Sequence, residues 1–184
     1  MSFFASVKDR VYDKFGILDD AEDFYDDLAN SKREFKTQGV VLKRLVEAIR
    51  DDIRTSKDVS SLKSGHYKGA VRVVDDILSK MGDNLKRVVR IERKARKDKA
   101  IWSAVSTKIT TSKRHMQDAL AKARDLKSGL NDMQREQVAV LNRMDEIADG
   151  SEGSGPASSS MTKTVAKILG AITALMATVL LASG

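Results

Sequence analysis

The chain has no cysteine, one proline (Pro156), two histidines and few aromatic residues, 5% of 184 positions. Without cysteine neither a disulfide framework nor a thiolate metal site can form, which suits a reducing compartment. His66 and His115 have no partner histidine at ligand spacing and no HExxH run exists, so zinc has no support. Gly65 and Gly69 lack the Lys-Ser/Thr pair that a phosphate-cradling loop needs, and no nucleophile-elbow pattern is present. These absences argue against an enzyme and against a bound cofactor. Scarce aromatics and proline with 32% charged residues are instead the profile of an extended helical protein, one domain by length with a short appendage.

What is present is periodicity. From Val74 to Ile147 apolar residues return alternately every three and four positions. One row runs Val74, Met81, Val88, Ala95, Trp102, Ile109, Met116, Ala123, Leu130, Gln137, Met144. The second runs Ile77, Asn84, Ile91, Asp98, Val105, Ser112, Ala119, Leu126, Met133, Val140, Ile147. Of these 22 positions 18 are apolar, about twice what a 41% hydrophobic chain gives by chance. Such a seam is built to pack lengthwise on another helix. Trp102 reads as core, and Asn84, Asp98 and Ser112 as polar positions that fix register.

Inside the seam lies a basic belt, KRVVRIERKARKDK from Lys86 to Lys99, with eight cations against Glu92 and Asp98. The net charge of +7 is uneven: −5 over residues 1 to 30, +4 over 31 to 85, +10 over 86 to 127 and −2 over 128 to 184. A cationic centre between acidic ends implies a polyanionic partner surface, phospholipid headgroups or nucleic acid. The belt lacks the asparagine-alanine-alanine and serine-arginine elements of a basic-zipper region, which disfavours DNA.

Taken in order, residues 1 to 16 read as an amphipathic helix with Phe4, Val7, Val11 and Phe15 at helical spacing. It can lie in a membrane interface or dock on its own bundle. Gly16 is expected to end it, with Asp19 or Asp20 capping the next helix. The acidic cluster from Asp19 to Asp27 suits a helix N-terminus and reads as a solvated face. Leu28, Phe35, Leu42 and Ile49, with Gln38 and Leu45 between them, continue a heptad to about Leu62. A break follows at Ser60, Ser61, Ser64, Gly65 and Gly69. The Ser/Thr-rich run Ser103 to Ser112 is the preferred place for the chain to fold back, giving about three long helices. Gly82 and Gly129 are lesser break points. Residues 149 to 162 have the composition of a flexible linker.

Residues 163 to 184 form the last segment. From Ile168 to Gly184 there is no charge, and Lys163 and Lys167 flank one side, so a single-pass membrane anchor with the helical body facing the cytoplasm is expected.

The leading SFFASVKDRVYDKFG, then EDFYDDL and EFKTQGVVLKRL, then RIERKARKDKAIWSAVSTK, together resemble the N-BAR family of membrane-bending proteins. The likeness covers roughly residues 2 to 148, and the domain expected at 17 to 148 would be BAR-like. It implies an all-α, elongated antiparallel coiled-coil bundle, a homodimer or higher homo-oligomer, and an anionic phospholipid membrane as partner. Lys86, Arg87, Arg90, Arg93, Lys94, Arg96, Lys97 and Lys99 would contact lipid phosphates, with Lys108, Lys113 and Arg114 at the tip. Phe3, Phe4, Val7, Val11 and Phe15 would wedge into one leaflet. The expected function is therefore non-enzymatic sensing or shaping of membrane curvature. A SNARE-like or tethering assembly protein, a viral membrane structural protein and a membrane-permeabilising helical protein are the alternatives.

Overall fold

A computed structural model describes residues 3–13, 16–55, 64–148 and 157–184. Among these the regular structure is wholly helical: α1 (Phe3–Lys8), α2 (Ile17–Thr55), α3 (Ser64–Ala95), α4 (Lys99–Ala148) and α5 (Ala157–Ala182). Phe15, most of the serine-rich break before α3 and most of the linker before α5 lie outside the described residues.

Helix boundaries follow local chemistry. The first helix stops at Lys8, well short of Gly16. Gly16 instead takes a left-handed φ of +62°, a conformation glycine adopts without steric cost, and turns the chain into α2. Asp13, rather than Asp19 or Asp20, caps that helix: its carboxylate accepts from the amides of Ile17 and Leu18, both at 2.8 Å. Asp19 and Asp20 occupy the first turn, where they complement the helix dipole.

The break between α3 and α4 comes earlier than the Ser/Thr run. Arg96, Lys97 and Asp98 form the corner, and α4 passes through Ser103 to Ser112 without interruption. Asp98 is the reason: its Oδ1 accepts from the amides of Ala100 (2.9 Å) and Ile101 (3.1 Å), capping α4. Arg93 and Lys94 in the last turn of α3 sit favourably against that helix's negative end. Gly82 and Gly129 lie inside helices and break neither.

Contacts divide the chain into two compact units, and α2 to α5 each contribute to both. The first comprises residues 1–36, 78–121 and 176–184. Leu18, Phe24, Leu28, Phe35, Met81, Val88, Ile101, Ile109 and Met116 are buried in it. Ion pairs join Asp20 to Lys94 (2.5 Å), Asp27 to Arg87 (2.9 Å) and Glu34 to Lys80. Each step of seven along α2 is thus matched by a backward step of seven along α3.

The second unit comprises residues 37–77 and 122–175. Leu42, Val46, Ile49, Val74, Ile77, Leu126, Leu130 and Met133 fill it. Tyr67, buried, donates a 2.5 Å hydrogen bond to Oε1 of the buried Gln137, and burial raises the phenol's pKa well above its ordinary value. Lys127 pairs with Asp75 at 2.6 Å and His66 Nδ1 meets the largely buried Asp52 at the same distance. Up to Met144 both heptad rows are the buried rows, apart from half-buried Asn84, Asp98, Trp102, Ser112 and Val140 and exposed Met144. Each fully buried Leu, Ile, Val or Phe contributes roughly 1.5–3 kcal/mol of transfer free energy, so the seam dominates cohesion.

Candidate functional site

The N-terminal apolar residues turn inward. Phe4 and Val7 are each 2% exposed, Val11 is half-buried and Phe3 is 44% exposed. The Phe4 ring stacks on Tyr25 at 5.2 Å, and Lys108 Nζ lies 4.5 Å from the centre of the Tyr25 ring, with Phe3 and Phe4 near it. The Tyr25 hydroxyl donates to Ser112 Oγ at 2.9 Å; burial pushes its pKa up, and that bond only partly offsets the push. Lys8 latches α1 to α2 through Asp19 and Glu22, whose hydrogen bonds raise its pKa. Tyr25 and Lys108 thus form a recognition centre for α1 itself.

The belt splits into two sets of cations. Lys86, Arg87 and Lys94 are tied to Asp83, Asp27 and Asp20, and the Arg87 guanidinium also covers the Phe24 ring at 5.0 Å. Arg96 and Lys113 converge on Glu92, which is only 7% exposed, at 2.8 and 2.6 Å. Burial works to raise the Glu92 pKa, but the hydrogen bonds and charges of Lys113 and Arg96 outweigh it, and the carboxyl lies below its ordinary value. Arg96 also stacks on half-buried Trp102, 4.3 Å from the ring centre. Arg90, Arg93, Lys97, Lys99 and Arg114 are the second set. All five are exposed and form no ion pair among the described residues.

Sequence reasoning counted Glu92 and Asp98 only as acidic residues within the belt, and Asp98 as a polar position that fixes register. They are its organisers: one gathers two cations, the other sets the corner. An aspartate just ahead of the apolar pair Ile101 and Trp102 was the available signal for the cap.

The helix α5 differs from the others in its outer face. The segment Ser160–Ala182 is long and apolar enough to cross a membrane; its most apolar stretch of 18 residues has a mean hydropathy of 2.1, and 44% of that stretch is buried. The inward row is Met161, Val165, Ile168, Ile172, Leu175, Val179 and Ala182, again at three- and four-residue spacing. The outward row beyond Lys167 is Gly170, Thr173, Ala174, Ala177 and Leu181, the last 62% exposed, with no charge. The outer faces of α2 to α4 carry charges at nearly every turn, for example Asp23, Lys43, Glu47, Arg72, Arg124 and Arg135. Among the described residues no group of three His, Asp or Glu could hold a metal ion.

No protein-family model, curated protein or solved structure matches the chain.

Proposed function

We propose that this chain is a non-enzymatic membrane-binding protein. It engages an anionic bilayer through α5 and sets the free cations of the α3–α4 corner against phospholipid headgroups. The observation that carries this reading is the uncharged outer face of α5 beyond Lys167, because a helix selected only to close a water-soluble bundle keeps charge on that side. At ~1.5 Å per residue the uncharged stretch from Ile168 to Ala182 extends about 22 Å, and the length from Lys163 onward about 30 Å, which matches a hydrocarbon core of about 30 Å with Lys163 and Lys167 snorkelling to the interface. Lys163 and Lys167 at its start favour a cytoplasmic body. The reverse-order pairing of α2 with α3 within the first unit supports an antiparallel coiled-coil arrangement of the long helices.

Arg90, Arg93, Lys97, Lys99 and Arg114 are the lipid-contacting cations in this reading, each giving about 1 kcal/mol near an anionic surface. Phe4 and Val7 support α1 docking rather than wedging.

Flotation of the full chain with neutral and with phosphatidylserine-containing vesicles tests this. Binding should be stronger on anionic vesicles and weaken with salt. Arg90, Arg93, Lys97 and Lys99 changed together to glutamate should remove the anionic preference. Thr173→Arg with Ala177→Arg should block insertion while leaving the helix content unchanged. A wild-type chain that floats with neither vesicle refutes the reading. Microscopy and dye release on the same samples separate its forms: tubules mean membrane shaping, clustered vesicles tethering, and leakage permeabilisation.

A further inference from the structure

One glycine shows that α5 has a prepared seat in the protein as well as a surface for lipid. Gly129 lies deep within the 50-residue α4, in ordinary helical conformation, where glycine costs about 1 kcal/mol relative to alanine. A Cβ built there would stand 2.8 Å from Ile168 Cδ1 of α5. Gly65, Gly82 and Gly170, also in helices, meet nothing within 4 Å, and a Cβ on Gly69 would meet Leu45 Cδ2 at 3.3 Å, so the approach at Gly129 is the tightest of the five. Ile168 belongs to the inward row of α5, and that row keeps heptad spacing through Ala182.

Both faces of α5 therefore have a specified environment. The inner face fits protein, with a notch cut for Ile168; the outer face fits hydrocarbon. Lys163 and Lys167 are exposed and make no ion pair among the described residues, so charge pairing there does not hold α5 down. Apolar side chains that leave the protein for a bilayer do not return to water, so on the side of α5 the transfer forfeits little hydrophobic free energy. The opposing cost is the apolar row left uncovered on its partners. A balance between two comparable terms is one that membrane contact can tip.

We infer that α5 is a stored membrane helix: docked in the Gly129 seat when the protein is in water, and released from that seat to enter the bilayer. This rests on the membrane-binding reading above and adds to it the state in which the helix waits. It requires that docking and insertion exclude one another.

The absence of native cysteine makes the test direct. Gly129→Cys and Ile168→Cys, placed together in the full chain, are joined as a disulfide or through a short bis-maleimide, and mixed with phosphatidylserine vesicles. The unjoined protein should float and resist alkaline carbonate extraction; the joined protein should be stripped by carbonate. Equal carbonate resistance of the two forms would overturn the stored-helix inference while leaving membrane binding intact. An unjoined protein that never floats would overturn membrane binding and the inference with it. Failure of the two thiols to couple in water would overturn the docked state.

As a second variant, Gly129→Leu overfills the seat and should lower the lipid concentration needed for half-maximal insertion by on the order of tenfold, the effect that overpacking a core produces. An unchanged or higher requirement in a variant of normal helix content would count against the seat.

Discussion

Replacing Glu92 by glutamine tests whether the basic belt is organised from within. Glu92 Oε1 accepts from Arg96 at 2.8 and 3.1 Å and Oε2 from Lys113 at 2.6 Å, with the glutamate side chain 9% exposed. Breaking a fully buried pair costs about 3–5 kcal/mol, because a charge is left stranded. Here the stranded charges can rehydrate, since the side chains of Lys113 and Arg96 are 29% and 57% exposed. The discounted expectation is about 1–2 kcal/mol at neutral pH.

Urea unfolding followed by the fluorescence of the single tryptophan reads this locally. Trp102 lies in the same unit and under the Arg96 guanidinium. With a denaturant slope of about 1–3 kcal/mol/M, the midpoint should fall by roughly 0.5–1 M. The pH dependence supplies an independent sign. The folded Glu92 carboxyl is held below its ordinary value by Lys113 and Arg96, so the stabilisation is fully present above that ordinary value. It is lost as pH falls through the lower, folded pKa. The gap between wild type and Glu92→Gln should accordingly be full at pH 7 and close in acid. A cycle with Lys113→Met should show coupling. Equal midpoints at pH 7, or a gap that does not narrow in acid, would refute the assignment of Glu92 as the hub.

Three further outcomes follow from the geometry. Asp98→Ala removes the α4 cap and should cost about 1 kcal/mol by urea unfolding, with glycine at that position costing only a few tenths. Tyr67→Phe leaves the Gln137 carbonyl oxygen without its buried donor, since the amide nitrogen of Gln137 already lacks a partner among the described residues; about 1–3 kcal/mol should be lost. Phe4→Ala should lower the stability of the first unit by up to ~3–5 kcal/mol with its aromatic stack gone, and hydrogen exchange should quicken in α1 before α2. A residue used only as a lipid wedge would leave both measurements unmoved.

The heptad rows were legible because burial in helices is a local matter of phase: Leu28, Phe35, Leu42 and Ile49, and Val74, Met81, Val88, Ile109, Met116 and Leu130, lie inward as their spacing requires. The corner was not legible by the same means. Six Ser/Thr residues between Ser103 and Ser112 favour a turn on propensity alone, yet their helix is held by Ile101, Val105 and Ile109 packed inward, and tertiary burial outweighs a few tenths of a kcal/mol per residue. Pairings between distant residues had no sequence signature. Tyr25 with Ser112 and Tyr67 with Gln137 join positions 87 and 70 residues apart. The tail was read as lipid-facing from composition, while the inward row from Met161 to Ala182, equally present in the spacing, went unread. Of the belt, sequence gave charge but not pairing, so it could not separate Arg87 and Lys94 from Arg90 and Arg93.

The corner at Arg96 to Asp98 contains neither glycine nor proline, and the seven-residue step from Ala95 to Trp102 crosses it with the row unbroken. Nothing in those three residues forbids helix. Were the corner to straighten, α3 and α4 would join in a single rod with one continuous stripe, and two such chains could exchange arms while burying the same side chains that the hairpin buries. Hairpin and exchanged dimer would then share one core, and the choice between them would rest on the cap at Asp98 and the clasp at Glu92.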